Sequence, residues 1–491
     1  MRTTARARGA AVACAALAAL ATGPGAHAQQ EPGGDPAALI DAHLAERLEA
    51  NGVPGAAYAI VSTDGIEHTA TWGEDGDGAP VTEDTAFLWG SVAKPVTATA
   101  VMTLVEDGAI DLDEPVTAHL PDFRLADEDR SARITVRHLL EQSSGIPEGT
   151  GITDRFDEYD DPYGEAVAEL AEADPLAEPG ERFEYASANY LVLGAVVEAV
   201  SGEPYGQYLR EAVLDPLGMD GAVATAAATE SLPDGHGYVF GQTVPIDTRF
   251  DQTGPSYGYL GGSITDLARF ALAHLNEGAP VLEAASAGQM HTGTAPVSET
   301  SSYGLGWYVN SRHEGLDTPT VWHVGATPGY SAGVILLPEL DRALVMAQNA
   351  YGYFQDGPLI GAMFDAARLL AGGEAVEPEG DLLYPSILAL LIALVAAAAA
   401  VVGLTLRQIR RGPGRPAPRW RIAAGTAAWA LGGLAVAYAA GVVLPSAAPS
   451  RTVLLLIAPD VGWGLCAVAV CALAVVAARL WAGALRLRSP R

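Results

Sequence analysis

The sequence predicts an α+β domain, in which an antiparallel sheet is flanked by helices and a helical subdomain, followed by C-terminal transmembrane helices. Strand-like runs occur at residues 56–73 and again at residues 303–348, near the two ends of one region. Segments with helical spacing lie between them, and three long apolar stretches follow residue 384. We therefore expect one sheet assembled from both ends of the region, with helices inserted between them.

The first element, residues 1–28, is predicted to be a secretory signal peptide. Three arginines precede an apolar run at residues 9–21, and the small residues Ala26 and Ala28 suit cleavage by a signal peptidase. The mature chain then begins near Gln29. The exported domain is expected over residues 29–370.

Within that domain, Pro36 to Ala50 has helical spacing and ends at the stop signal Asn51-Gly52. A hairpin is predicted around Asp64-Gly65. The further helices are predicted at residues 92–106, 136–142, 163–172, 189–200, 265–276 and 357–370. The later strands are predicted at residues 303–310, 320–324, 333–337 and 343–348.

A short linker, residues 371–384, is rich in Gly, Glu and Pro and precedes a three-helix transmembrane region at residues 385–491. The spans are predicted at residues 385–406, 422–444 and 461–481, each long enough to cross a ~30 Å hydrocarbon core. Arginines concentrate in the loop between the first two spans and in the C-terminal tail, which places both in the cytoplasm. The exported domain then lies outside the cell membrane, as the signal peptide independently predicts.

Composition excludes several function classes. The formal net charge of the chain is −31, and 58 of its 59 acidic residues lie between residues 29 and 383, so the surface should repel nucleic acid. That segment contains no cysteine, which excludes disulfides, metal–thiolate sites and a cysteine nucleophile. Its histidines lack metal-binding spacing, and no cofactor motif is present. Neither a metal nor a cofactor is therefore predicted.

Position 94 carries the only lysine of the chain, while every other basic residue is an arginine. Ser91 lies three residues earlier, at the predicted start of a helix, so both side chains share one face. Lysine can lose its proton when it is desolvated, whereas arginine stays charged. The pair therefore predicts a serine nucleophile with an amine base.

Further motifs accompany this pair in a recognisable order. They are "LWGSVAKP", "GAIDLDEPVTAHLP", "ITVRHLLEQSSGI", "YASANYLVLG", "YGYLGGSITDLARF", "YGLGWYV" and "VWHVGATPGYSAGV". With them the chain resembles the serine β-lactamase and penicillin-binding protein superfamily, in particular the branch of class C β-lactamases, D-alanyl-D-alanine carboxypeptidases and esterases. The resemblance runs through most of residues 35–370 and implies a β-lactamase/transpeptidase-like fold.

The resemblance also implies roles for individual residues. Ser91 would be the acylated nucleophile, Lys94 its base or proton relay, and Tyr185 a phenol that exchanges protons with the nucleophile and the leaving group. His323 and Gly325 would form the third motif, and the backbone amides of Ser91 and Ala326 the oxyanion hole, worth about 3 kcal/mol per donor.

Two positions depart from the family pattern. Ser187 stands where the family usually has Asn, so the amide that would hold the substrate is replaced by a hydroxyl. Val324 stands where Thr is frequent, which removes a hydroxyl contact to a substrate carboxylate. Both departures favour a plain ester or amide over penicillin-like or D-Ala-D-Ala substrates.

The predicted function is a membrane-anchored, extracytoplasmic serine hydrolase acting on a small-molecule or peptide substrate. A wall-type peptide, an ester and a β-lactam stay open as substrates. The alternative from another class is a non-catalytic penicillin-binding or envelope sensor module. Because the spans contain no charge until Arg479 near the cytoplasmic end, they indicate an anchor rather than a transport pathway.

Overall fold

The computed structural model describes residues 35–310, 315–376, 382–412, 417–447 and 450–488. From Pro36 on, they belong to one compact unit. The predicted signal peptide, residues 1–28, lies outside the described residues, as does part of the predicted linker.

Eight strands form one antiparallel sheet that joins the two ends of the domain, which confirms the predicted architecture. These strands are β1 (Gly55–Ser62), β2 (Gly65–Gly73), β7 (Ala295–Pro296), β8 (Ser301–Tyr303), β9 (Tyr308–Asn310), β10 (Thr320–Thr327), β11 (Tyr330–Leu337) and β12 (Arg342–Gln348). Their order is β2-β1-β12-β11-β10-β9-β8-β7, and every neighbouring pair is antiparallel. In register, Ala56 pairs with Gln348 and Gly325 with Ala332.

One predicted strand, residues 303–310, is instead a hairpin. The chain turns between β8 and β9, and Tyr303 pairs with Tyr308. Gly306 adopts φ +87°, a left-handed conformation that favours glycine, and so permits the turn.

Helices cover both faces of the sheet because successive side chains of a strand point to opposite sides. In β1, Tyr58 and Ile60 pack with the helices α1 (Pro36–Asn51) and α10 (Asp356–Leu370) in one core. Ala57 and Val61 face the other core, which contains residues of α2 (Ala93–Glu106) and α8 (Ile264–Leu275). The central strands are therefore buried on both sides.

The remaining elements complete the domain between these layers. The other helices of the domain are α3 (Glu128–Ser131), α4 (Val136–Leu140), α5 (Pro162–Glu169), α6 (Ser187–Ser201), α7 (Tyr205–Leu209) and α9 (Ala284–Met290). The short strands are β3 (Phe87–Leu88), β4 (Gly235–Val239), β5 (Gln242–Ile246), β6 (Gly261–Gly262) and β13 (Ala350–Tyr351). Strand β3 pairs with β6, and β4 lies between β13 and β5 in a three-stranded sheet that was not predicted from the sequence.

Among the described residues, three C-terminal helices are long and apolar enough to cross a membrane. They are α11 (Leu383–Arg410), α12 (Arg419–Tyr438, continued by a π-helical turn to Val443) and α14 (Pro459–Arg488). A fourth, short helix, α13 (Arg451–Ile457), lies between α12 and α14. Ser450 caps its first turn by accepting a hydrogen bond from the Val453 amide.

The C-terminal apolar helices contact the domain through the turn between β4 and β5. The Phe240 amide donates a hydrogen bond of 2.8 Å to Asp460 Oδ2, and the Gly241 amide donates one of 3.1 Å to Tyr384 Oη. Tyr384 in turn donates its hydroxyl hydrogen to Asp460. One buried carboxylate thus ties the hairpin to the first residues of α11 and α14.

Candidate active site

Ser91 lies in a single 3₁₀ turn, Gly90–Val92, that runs directly into α2. This turn packs backbone to backbone against β10. A Cβ atom on Gly90 would lie 2.1 Å from the Ala326 amide nitrogen, and one on Gly325 would lie 2.2 Å from the Ser91 amide nitrogen. Glycine at both positions is what lets these two amides approach one another.

Three side chains predicted to act together do meet at Ser91. Lys94 Nζ lies 3.0 Å from Ser91 Oγ, and the Tyr185 hydroxyl lies 2.8 Å from the same oxygen. Tyr185 comes from the segment just before α6, so helix α2 and this segment each contribute one partner. The distances permit direct proton transfer to and from the serine hydroxyl.

Lys94 is fully buried, although a lysine ammonium is strongly hydrated in water. Its Nζ also donates a hydrogen bond of 2.8 Å to the Tyr257 carbonyl oxygen and lies 3.4 Å from Ser187 Oγ. Burial lowers the pKa of Lys94 to about 7, and the acidic side chains of Glu148 and Asp154 oppose that shift. Near neutral pH a large share of Lys94 is therefore a neutral amine, as a general base requires.

Tyr185 is held as a neutral phenol. Burial raises its pKa well above the ordinary value for tyrosine, so at neutral pH the hydroxyl carries its proton and donates a hydrogen bond to Ser91 Oγ. Its segment is fixed by Gln142, whose side-chain oxygen accepts from the Ala186 amide at 2.9 Å and whose carbonyl accepts from the Glu184 amide at 2.7 Å. Gln142 has φ +57°, an uncommon value outside glycine, and acts as a positioning residue.

Ser187 sits at the start of α6 and lines the cleft. Its backbone amide donates a hydrogen bond of 2.7 Å to Glu148 Oε2. The hydroxyl faces Lys94, so the position usually occupied by Asn in the family holds a shorter group turned toward the base.

The third motif lies on β10, and its residues differ in whether they reach the cleft. Val324, Gly325 and Ala326 line the cleft, but His323 is buried behind it. His323 Nε2 lies 3.1 Å from the Tyr303 hydroxyl, and Nδ1 lies 2.8 Å from the Val324 carbonyl oxygen. Burial lowers the pKa of His323 to about 3, so the ring is neutral and its predicted role would be exerted through Tyr303 and the strand.

Ser91 opens into a cleft of about 300 Å³. Three acidic side chains line it, those of Glu148, Asp154 and Asp356. Among the described lining residues none is an arginine, lysine or histidine. Burial raises the pKa of Asp154 and of Asp356 above the usual range for aspartate. The described part of the cleft therefore offers no surface cation to pair with a substrate carboxylate.

Several of these residues were not predicted from the sequence. Gln142 and Tyr257 belong to two of the quoted motifs, but Tyr257 acts through its carbonyl oxygen, which no residue type reveals. Glu148 and Asp154 lie in a loop of ordinary acidic composition. Two residues of α13, Val453 and Ile457, also line the cleft, although the sequence of this segment indicates only an apolar stretch too short to span a membrane.

The antiparallel sheet, the helices that cover its two faces and the Ser91–Lys94–Tyr185 arrangement together are those of the β-lactamase/transpeptidase fold. A family model described as beta-lactamase matches residues 40–367, and the chain belongs to this family. Penicillin-binding protein 4 of Amycolatopsis lactamdurans is 32% identical over 340 residues, which cover 64% of this chain and 87% of that protein.

Two solved structures extend the similarity to the fold. The octameric penicillin-binding protein homologue from Pyrococcus abyssi is 25% identical, with a TM-score of 0.59, and the match covers 69% of this chain and 78% of that one. A D-stereospecific amidohydrolase from Streptomyces sp. is 26% identical, with a TM-score of 0.57, over 67% of this chain and 99% of that one.

Proposed function

We propose that the protein is a membrane-anchored serine hydrolase that forms an acyl-enzyme at Ser91. The observation that carries the proposal is a buried lysine, with a pKa of about 7, and a neutral tyrosine that both contact one serine hydroxyl. A structural lysine would gain nothing from desolvation, whereas a base needs it.

In the acylation step Ser91 Oγ attacks the substrate carbonyl carbon and its proton passes to Lys94 Nζ. The amides of Ser91 and Ala326 stabilise the negative charge on the carbonyl oxygen. Tyr185 donates its proton to the leaving group as the bond to carbon breaks, and it recovers a proton from Lys94. The products are an ester on Ser91 and the free, neutral alcohol or amine.

In the deacylation step the same side chains act, and water is the nucleophile that attacks the ester on Ser91. Lys94 accepts the proton of the attacking water, Tyr185 donates its proton to Ser91 Oγ as the ester bond breaks, and Lys94 returns a proton to Tyr185. No side chain outside this set is required, because both candidate groups already contact Oγ.

The charge of the cleft supports an uncharged or cationic ester or amide as substrate. Glu148, Asp154 and Asp356 line the cleft, and no basic residue among the described lining residues offsets their charge. Burying a substrate carboxylate there would leave it without a partner. A β-lactam or a peptide with a free C-terminal carboxylate is therefore the weaker substrate class.

We further propose that the catalytic domain lies outside the cell membrane. The arginines of the loop between α11 and α12 and of the C-terminal tail support a cytoplasmic location for those segments. The β4–β5 turn contacts the ends of α11 and α14 that lie opposite these arginines, which agrees with that orientation.

The proposal is tested with the full-length protein in detergent, by comparing turnover of p-nitrophenyl acetate with turnover of nitrocefin, a β-lactam. We expect steady ester hydrolysis that Ser91→Ala abolishes, and slower β-lactam hydrolysis. Slow acylation by the β-lactam without turnover of either compound would instead support the sensor module.

A further inference from the structure

Helix α13 brings the membrane region to the edge of the catalytic cleft. Val453 and Ile457 are four residues apart, so they lie on one face of the helix, and both line the cleft that contains Ser91. Ile360 of α10 and Tyr351 line the same cleft. The cleft is thus acidic around the reacting groups and apolar where α13 borders it.

The position of α13 is set by the ends of the spans. Leu454 packs in a cluster with Leu391 of α11 and Leu465 of α14, and a Cβ atom on Gly462 would lie 2.8 Å from Leu455 Cδ2. The helix is therefore fixed to the spans on one side while Val453 and Ile457 face the cleft.

Exposed apolar and aromatic side chains lie beside the first residues of α11 and α14. Phe354 stacks on Tyr384, with ring centroids 5.2 Å apart, at the first turn of α11. Phe240 and Tyr353 are each more than 60% exposed, and Leu382 is 77% exposed. Aromatic side chains of this kind are enriched where a protein meets the membrane–water interface. Such a group of aromatic side chains is what a cleft mouth at the bilayer surface would have.

We propose that Val453 and Ile457 form an apolar subsite and that the substrate is a membrane-borne amphiphile, an uncharged or cationic ester or amide attached to an alkyl chain. This inference rests on the proposed function and names the substrate class of the same site. The alkyl chain leaves the bilayer along α13, and the scissile carbonyl reaches Ser91.

The first test compares hydrolysis of p-nitrophenyl octanoate and p-nitrophenyl acetate by the full-length protein in detergent. In the double variant Val453→Ser/Ile457→Ser, the ratio of kcat/KM for octanoate over acetate should fall about tenfold, because acetate has no alkyl chain to reach the subsite. Leu456→Ser, on the same helix but not lining the cleft, is the matched control and should keep the wild-type ratio. Ile360→Ser, which changes an apolar lining residue of α10, gives an independent decrease if the double variant does not fold.

The outcomes separate this inference from the proposed function. An unchanged ratio in both cleft variants, with acetate turnover retained, overturns the apolar subsite and leaves the hydrolase standing. Absence of turnover and of any Ser91 adduct in the wild type overturns both.

The membrane origin of the substrate is tested with a diacyl lipid that carries a fluorogenic ester in its headgroup. We expect hydrolysis when this lipid and the full-length protein share one vesicle. Equal rates when the lipid is supplied in separate vesicles would show access from water and overturn the proposed route.

Discussion

The two walls of the cleft differ in polarity. The catalytic wall joins Ser91, Lys94 and Tyr185 through polar contacts of 2.8 to 3.0 Å around a lysine with no solvent exposure. The outer wall consists of apolar side chains such as Val453 and Ile457, contributed by a short helix of the membrane region. Under the proposed function, catalysis would depend on the polar wall, and the preference for an alkyl chain would depend on the apolar wall.

The largest effect is expected on the catalytic wall, from Lys94→Arg. The guanidinium keeps the charge but cannot accept a proton, so turnover of p-nitrophenyl acetate should fall about a thousandfold. Lys94→Met removes the base without adding a buried charge, and it should reduce turnover by the same factor. Arg133→Lys, at an exposed position, serves as the control and should leave turnover unchanged. Wild-type activity in a folded Lys94→Met protein would refute the amine base.

The approach of β10 to the nucleophile turn is tested by Gly325→Ala. The added Cβ would lie 2.2 Å from the Ser91 amide nitrogen, so the strand must move away and the oxyanion hole must widen. We expect turnover to fall about a hundredfold, the effect of losing one oxyanion donor. The matched control is Gly258→Ala, because Gly258 lines the same cleft but a Cβ atom added there would meet no neighbouring group within 4 Å. Equal activity of the two variants would show that the close approach is not needed.

The pH dependence sharpens the contrast between the polar and the apolar wall. The active form of Lys94 is the neutral amine, which is lost as pH falls through its pKa of about 7. The kcat/KM for an ester should therefore decrease about tenfold for each pH unit below 7. It should not decrease on the alkaline side through Tyr185, whose pKa lies well above 10. If kcat/KM instead decreased only at the lower pH at which carboxyl groups usually titrate, the base would be a residue other than Lys94.

The smallest expected effect belongs to Ser187, which lines the cleft beside Lys94. Ser187→Ala removes a hydroxyl that lies 3.4 Å from Lys94 Nζ, and turnover should fall a few fold, equivalent to about 1 kcal/mol. Ser187→Asn should be compared for acylation by a penicillin, which we expect to increase because an amide donor is added. A loss as large as that of Lys94→Arg would place Ser187 within the proton-transfer set.

Much of the fold was predictable because it depends on local patterns. Strands such as 56–62 and 343–348 carry apolar side chains on both faces, and Asp64-Gly65 specifies the hairpin between β1 and β2. The β4–β5 hairpin was missed because its first strand contains two glycines and a histidine in five residues, which is a weak strand signal.

The residues of the site likewise divide into those that local sequence patterns predict and those that they do not. Ser91 and Lys94 are one helical turn apart, so their meeting follows from spacing alone, and Tyr185 was placed only through the resemblance. The support from the Tyr257 carbonyl and the side chain of Gln142 depends on tertiary contacts that no local pattern encodes. The place of α13 in the cleft is likewise non-local, because it requires the spans to be packed against the domain.

The role of Ser91 as the nucleophile is tested most directly by the intact mass of the full-length protein after reaction with a fluorophosphonate. We expect one adduct in the wild type, none in Ser91→Ala, and strongly slowed formation in Lys94→Arg. An adduct that persists in Ser91→Ala, or its absence from folded wild-type protein, would contradict the assignment of Ser91 as the nucleophile.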